Sequence, residues 1–301
     1  MFKFLVATFL ACSAVSPNQV KAESLVTVAY RSDAPPFSFL SDGGYSGFVA
    51  DVCDKTLEKI EETIQVTKIS ANASDRFEKL LTGEADILCG SASMTSDRFE
   101  DFVFSIPIFI SGISYATVVT DNIVSTNPAG AKAAILRNTT TFTQSDSALF
   151  KEYFGVAGSR FFSDISILRS DQNKPTEGYE SILVVDSYIE GFKRLCDNTV
   201  QFLIGDVDIL NSLSKNIEGF KECHPVVVRR TLTREVYGVV FSPRFLEVEE
   251  GRILFRKFQS SLFSLYQDGT ISKLFSENFH DQVMSDELAQ LFRLFDRNVS
   301  R

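Results

Sequence analysis

The chain has 301 residues, 44% hydrophobic and 23% charged, with 30 lysines and arginines against 39 acids and a formal charge of −9. That composition excludes disorder, collagen and coiled coil, and a length of twice a typical domain of about 150 residues predicts two domains. The acid excess leaves no basic patch to neutralise phosphates, which argues against nucleic acid as a partner. Only two histidines, His224 and His280, are available as a catalytic base. These traits point to binding rather than to catalysis.

In chain order, the first 22 residues read as a signal peptide. Lys3 and the amino terminus form a positive start, Phe4 to Val15 is apolar, and Val20-Lys21-Ala22 supplies a small-residue cleavage site before Glu23. The apolar run is shorter than the ~20 residues of a membrane span. Phe9-Leu10-Ala11-Cys12 offers an alternative, lipid attachment at Cys12. Cleavage after Ala22 removes Lys3 and Lys21, lowers the charge by two to −11, and predicts a periplasmic protein. Four cysteines follow, Cys53, Cys89, Cys196 and Cys223, and they allow three pairings. The sequence does not choose among these, although two early and two late cysteines suit one bridge per half, Cys53 with Cys89 and Cys196 with Cys223. Cys223-His224 lacks the C-x-x-C partner of a zinc site, and no metal or cofactor is expected.

Strand and helix patterns then alternate. Leu25 to Tyr30 is a strand, Gly47 to Glu62 a helix with Val49, Val52, Cys53, Leu57 and Ile60 on one face, and Ile64 to Ile69 a second strand. Arg76 to Leu81 is a short helix and Ala85 to Cys89 an apolar strand. This repeated β-α-β order implies a largely parallel sheet flanked by helices. The second half continues in the same style with a strand over Ala133 to Leu136, helices over Thr143 to Phe154 and Glu190 to Leu195, a strand over Val200 to Ile204 and a helix over Asp206 to Leu213. Pro225 to Arg230 and Val236 to Phe241 return as strands. Beyond Pro243, Phe255, Phe258, Leu262 and Leu265 mark a long amphipathic helix ending at Asp268-Gly269. Ile271 to Phe279 starts another, and Ser285-Asp286-Glu287 caps a last helix through Leu288, Leu291, Phe292 and Phe295. Its apolar face needs cover, most simply on the first half of the fold.

The segment Ala85 to Gly112 carries the densest chemistry. A strand ends at Cys89-Gly90, Ser91 and Ser93 follow, and Thr95-Ser96-Asp97-Arg98 opens a helix. Hydroxyls and free backbone N–H groups at the carboxyl end of a strand suit an anion, and Arg98 adds a planar fork for a carboxylate.

This segment resembles the signature of the bacterial extracellular solute-binding proteins that deliver polar amino acids to ABC transporters. Asp86, Gly90, Ser93, Thr95, Arg98, Phe104-Ser105, Pro107, Phe109 and Gly112 match it in order and spacing. The likeness extends to Tyr30 through Phe39, Gly47-Phe48 with Asp51, Tyr237-Gly238 and Asp268-Gly269-Thr270-Ile271. It implies a two-lobe α/β fold of the periplasmic-binding-protein type II class, each lobe a mainly parallel sheet flanked by helices. Residues 23–117 with 238–301 would form lobe one and 118–237 lobe two, with two hinge crossings. It also implies a free amino acid as ligand, a membrane permease as partner, a monomer, and no enzymatic activity.

Within that family the sequence is most similar to glutamate- and aspartate-binding proteins. Arg31 matches the arginine that meets the ligand's side-chain carboxylate, Arg76 matches a second pocket arginine, and Cys89-Gly90-Ser91-Ala92-Ser93 matches their anion segment, with Ala92 a departure. The resemblance implies that Ser91, Ser93 and Arg98 hold the α-carboxylate. Asn138-Thr139-Thr140 stands at the opposing anion loop, so Thr139 or Thr140 would donate from lobe two. Asp206 matches the acid that accepts the ammonium group, and it also sits at an N-cap position. Tyr188 stands where those binders place a histidine. Two rival readings share the resemblance: a periplasmic dehydratase of prearomatic acids, which needs a general acid or base, and a ligand-sensing domain.

Overall fold

A computed structural model describes residues 24–60, 64–118, 130–137, 142, 146–170, 179–216, 222–280 and 282–295. The expected signal peptide, Cys12, Thr139 and Thr140 lie outside the described residues. Two five-stranded sheets organise the chain into two lobes. In the first, the order is Ile64–Ala71, Ser24–Arg31, Ile87–Cys89, Val240–Phe241 and Val103–Phe104. In the second it is Ile182–Val185, Ala133–Leu136, Phe202–Asp206, Ile113–Val118 and Pro225–Val227. Each sheet has three mutually parallel strands followed by two antiparallel ones. The expected parallel core is present, and the antiparallel pair is added where the chain crosses between lobes.

The first-lobe core explains its elements. Val26, Val28 and Tyr30 pack into one cluster and Ala29 into another on the opposite face, so the strand Ser24–Arg31 is covered on both sides. The helix Phe48–Glu58 buries Phe48, Val49, Val52, Cys53 and Leu57. It starts after Gly47, whose φ of +114° suits glycine; a Cβ there would lie 2.7 Å from the Phe37 carbonyl carbon. Disulfides join Cys53 to Cys89 and Cys196 to Cys223, one in each lobe.

Three elements depart from the sequence reading. The helix expected to end at Phe154 runs over Ser147–Ser170, with a break at Gly155 (φ 56°, ψ −129°) that glycine permits. Val236 to Phe241 divides into two strands in different sheets. Glu235–Tyr237 pairs antiparallel with Phe109–Ser111, whereas Val240–Phe241 joins the first sheet. The ribbon Phe109–Ser111 with Glu235–Tyr237 is the hinge. The strand Ile113–Val118, assigned to lobe one by a boundary at 117, belongs to the second sheet, so the crossing lies near Gly112. Gly112 is needed there because a Cβ would come within 2.3 Å of the Thr233 carbonyl oxygen, just before the returning strand.

An aromatic cluster supports the hinge from lobe one. Phe37 packs edge-on against Phe109 at 4.9 Å and Tyr237 at 5.4 Å, and Phe109 stacks on Phe279 at 5.2 Å. The last helix, Asp286–Phe295, is capped by the Ser285 hydroxyl, which accepts the Leu288 N–H at 3.1 Å. It returns to lobe one and buries Leu288, Leu291 and Phe292 there, with the Phe292 and Phe295 rings on Tyr266. Burying each such side chain stabilises by about 1.5–3 kcal/mol. Among the described residues no helix is long and apolar enough to cross a membrane.

Candidate functional site

The carboxyl ends of the parallel strands in both sheets face one interlobe crevice, the usual ligand position in open α/β sheets. Arg31 ends the strand Ser24–Arg31 and is 2% exposed. Its Nε donates to Asp33 Oδ1 at 2.6 Å, and Asp33 Oδ2 accepts the Ala73 N–H at 3.0 Å. Burial works to raise the Asp33 carboxyl, but Arg31, by charge and hydrogen bond, and the Ala73 N–H hold it below the usual carboxylate range. Arg31 Nη2 is buried with no hydrogen-bond partner among the described residues. Gly90 makes room for this side chain, since a Cβ would stand 2.3 Å from Arg31 Cγ.

Arg76 opens the helix Arg76–Thr82, is buried, and donates from Nη1 to the Ala73 carbonyl. Arg98 is half-buried and donates from Nη1 to the Ser93 carbonyl at 2.9 Å. Both guanidinium groups lie 4.6 Å from the centroid of the Phe77 ring, within the range of cation–π attraction. Burial disfavours the charge on Arg76, and Arg31 and Arg98 oppose it further. An arginine stays protonated in a protein, so the repulsion is borne by the fold or relieved by an anion.

Lobe two contributes from the strand Phe202–Asp206 and the helix Tyr188–Cys196. Tyr188 lies behind the N-cap Ser187, and its hydroxyl accepts the Asp206 N–H at 3.0 Å. Gly205 gives that ring its seat, because a Cβ would stand 2.4 Å from Tyr188 Cε1. Asp206 Oδ1 accepts the N–H groups of Asp208 and Ile209, both at 2.9 Å, so the expected capping role is present. Its Oδ2 accepts from Ser111 at 2.8 Å and from the Tyr237 hydroxyl. Burial, then the neighbouring Asp208, push the Asp206 carboxyl up, against the opposing pull of Tyr237, the Ile209 N–H and Ser111.

These side chains enclose a cavity of about 40 Å³. That is little more than one water molecule's share of the liquid, about 30 Å³. Arg31, Arg76, Ser91, Ser93, Arg98, Tyr188 and Asp206, seven residues singled out in the sequence, all line it. Tyr237 lines it too, unanticipated beyond its place in a tyrosine-glycine strand; only the hinge pairing brings it there. An open recess of about 710 Å³ lies beyond Ser93, but none of the three arginines lines it. Among the described residues no group of three His, Cys, Asp or Glu is placed to hold a metal.

Residues 26–281 match the model of the bacterial extracellular solute-binding proteins, family 3. The chain belongs to that family. No match was found among curated proteins. Solved structures share the fold at low identity. One is the arginine-, lysine-, histidine-binding protein ArtJ from Geobacillus stearothermophilus, with TM-score 0.62, 18% identity, and 89% of this chain and 100% of that chain covered. Another is an ABC uptake transporter substrate binding protein from Streptococcus pneumoniae with bound histidine, with TM-score 0.63, 19% identity, and 87% and 95% covered. A third is the ancestral amino acid-binding protein AncCDT-1, a precursor of cyclohexadienyl dehydratase, with TM-score 0.58, 18% identity, and 85% and 95% covered. An extracellular family and two disulfides agree with an exported chain.

Proposed function

We propose that this solute-binding protein captures an acidic amino acid, L-glutamate or L-aspartate, between its lobes and presents it in the periplasm to an ABC transporter permease. The observation that carries this reading is the charge of the cavity wall, where Arg31, Arg76 and Arg98 converge. Arg98, with Ser91 and Ser93, is proposed to hold the α-carboxylate, Arg31 and Arg76 the side-chain carboxylate, and Asp206 with Tyr188 the ligand from lobe two; Thr139 or Thr140 would add a donor there. A ligand touching both lobes favours the closed state by contacts available only when the lobes meet, which is a shift of population toward closure. The related structures named for arginine and histidine do not carry their ligands over, because a cationic side chain would meet the buried guanidinium groups of Arg31 and Arg76.

Thermal unfolding in the presence of each of the twenty amino acids tests the reading. A ligand at 100 times its dissociation constant stabilises by about 2.7 kcal/mol. Glutamate or aspartate should raise the midpoint most; a larger rise with arginine or histidine would sink the proposal. A second reading, a dehydratase of prearomatic acids, draws support from the buried Asp206 and Asp208 pair, since carboxyl groups pushed up to about 7 and about 6 can hold a proton for donation near neutral pH. Product formation from such acids, lost in Asp206→Asn, would favour it.

A further inference from the structure

Ser111 stands on the hinge strand between two carboxyl groups. Its Oγ is 2.8 Å from Asp206 Oδ2 and 2.7 Å from Asp208 Oδ2. A hydroxyl has one hydrogen to give and an ionised carboxylate has none. With both acids ionised, one of these two contacts would set lone pair against lone pair, so one acid must carry a proton and donate it to Ser111. The surroundings decide which. Asp206 accepts from the N–H groups of Asp208 and Ile209, from Ser111 and from Tyr237, which fills a carboxylate's four acceptor positions. The Asp208 carboxyl meets Ser111 alone among the described residues.

The proton therefore belongs on Asp208, and a chain of hydrogen bonds runs from Asp208 through Ser111 to Asp206. Its two ends lie in different cavities. Asp206 faces the ligand cavity, whereas Asp208 lines a separate one of about 300 Å³ behind the hinge. We propose that Asp208, Ser111 and Asp206 couple ligand capture to release of a proton, which leaves through the cavity behind the hinge. This inference rests on the reading above that the ligand carries an ammonium group.

The step balances as follows. The Asp208 O–H bond breaks and its proton passes to water behind the hinge. The Ser111 hydrogen then turns from Asp206 Oδ2 to the newly ionised Asp208 Oδ2. That vacates one acceptor position on Asp206, which the ligand's N–H⁺ takes up. The charged neighbours do not supply this control. Arg229, Arg234 and Glu287 share the rear cavity, but Arg234 pairs with Glu287 at 2.7 Å and no ion pair joins Asp208 to a cation among the described residues. On the cleft side Asp206 is faced by Tyr188 and Tyr237, with Arg31, Arg76 and Arg98 across the cavity, while Glu235 on the hinge strand accepts from the Thr233 hydroxyl at 2.9 Å. Burial pushes both carboxyl groups of the pair upward, and Asp208 pushes Asp206 further, in keeping with one proton held by the pair; the hydrogen-bond pattern places it on Asp208.

Two measurements on the intact protein test the coupling. Infrared difference spectra of the ligand-free protein near pH 6 should show a protonated carboxyl stretch that Asp208→Asn removes; its absence from the unsubstituted protein would overturn the shared proton whatever the ligand is. Titration calorimetry with glutamate, in two buffers of different ionisation heat, should show release approaching one proton per ligand. Affinity should then rise about tenfold per pH unit below the titration of the pair and level off above it. Asp208→Asn and Ser111→Ala should each bind without proton release and with a flat pH profile. Glutamate binding with no proton released, or unchanged release in both variants, refutes the coupling. An intact infrared band with no heat from glutamate refutes the glutamate reading instead.

Discussion

Replacing Arg31 by methionine removes one cationic wall of the cavity and nearly preserves its volume. Two effects follow, and the structure separates them. Arg31 is paired with Asp33 at 2.6 Å, with side-chain exposures of 3% and 17%. Breaking a buried pair by removing one partner costs about 3–5 kcal/mol, because the remaining charge is left uncompensated; Asp33 keeps the Ala73 N–H and some solvent, which places this case at the lower end. The binding effect is distinct. Hydrogen bonds to charged groups contribute about 1.5–3 kcal/mol, and 1.4 kcal/mol is tenfold in affinity, so glutamate should bind about 10- to 150-fold more weakly. The double variant Arg31→Met with Asp33→Asn isolates this effect, because it removes a neutral pair and leaves an amide oxygen for the Ala73 N–H. Calorimetric titration of both variants with glutamate, glutamine and aspartate provides the assay. The expected result is a selective loss for the two acidic ligands in both variants, with thermal stability largely recovered in the double one. Glutamate affinity within threefold of the unsubstituted protein, or an equal loss for glutamine, would refute the role assigned to Arg31.

Gly90→Ala should act on the same residue indirectly, since the new methyl would lie 2.3 Å from Arg31 Cγ, near the fixed stem of the side chain; overpacking of about 1–3 kcal/mol and weaker glutamate binding are expected by melting and calorimetry. Replacing Cys53 and Cys89 together by serine opens a link across 36 residues of sequence, and denaturant titration should show a loss of about 4 kcal/mol. The Asp206 and Asp208 carboxyl groups are raised to about 7 and about 6, above an unfolded value of ~3.9. The folded chain thus holds protons that the unfolded chain has lost between about pH 4 and 7, so this pair's contribution to ligand-free stability falls as pH rises across that window, by up to about 1.4 kcal/mol per unit for each proton retained. Urea titrations at pH 5 and pH 7.5 should show that fall, and Asp208→Asn should flatten it; an unchanged slope in that variant would contradict the assignment.

Much of the site was legible because it sits at strand ends. Arg31, Ser91 and Asp206 each end or follow an apolar run, and such runs announce buried parallel strands whose carboxyl ends meet a crevice. What the sequence concealed depends on pairing between distant segments. Phe109 to Val118 reads as one apolar stretch, and nothing local shows that its two halves lie in different sheets; the close approach of Thr233 to Gly112 does. Tyr237 reaches the cavity only because Glu235–Tyr237 pairs with Phe109–Ser111. Ser111 and Asp208 carry no motif, and their meeting follows from a hinge strand crossing the start of the helix Val207–Asn216.

A net charge of −9 is ill matched to an anionic ligand at long range. Distance resolves this. At physiological salt, exposed charges are screened beyond about 8 Å, whereas groups inside a closed cavity are screened much less. Within the cavity Arg31 and Asp33 form a buried ion pair, and Arg76, Arg98 and Asp206 add two further guanidinium groups and a carboxyl to the wall. On the proposed reading, these two guanidinium groups and one carboxyl would meet the two carboxylates and one ammonium of an acidic amino acid. Arg31 then serves differently from the other two arginines. Its charge is balanced by Asp33, and its buried Nη2 offers a directed hydrogen bond rather than net attraction. On the proposed reading Arg76 and Arg98 would supply attraction for an acidic ligand, and Arg31, fixed by Asp33 and seated by Gly90, would aim its Nη2 hydrogen bond at the side-chain carboxylate.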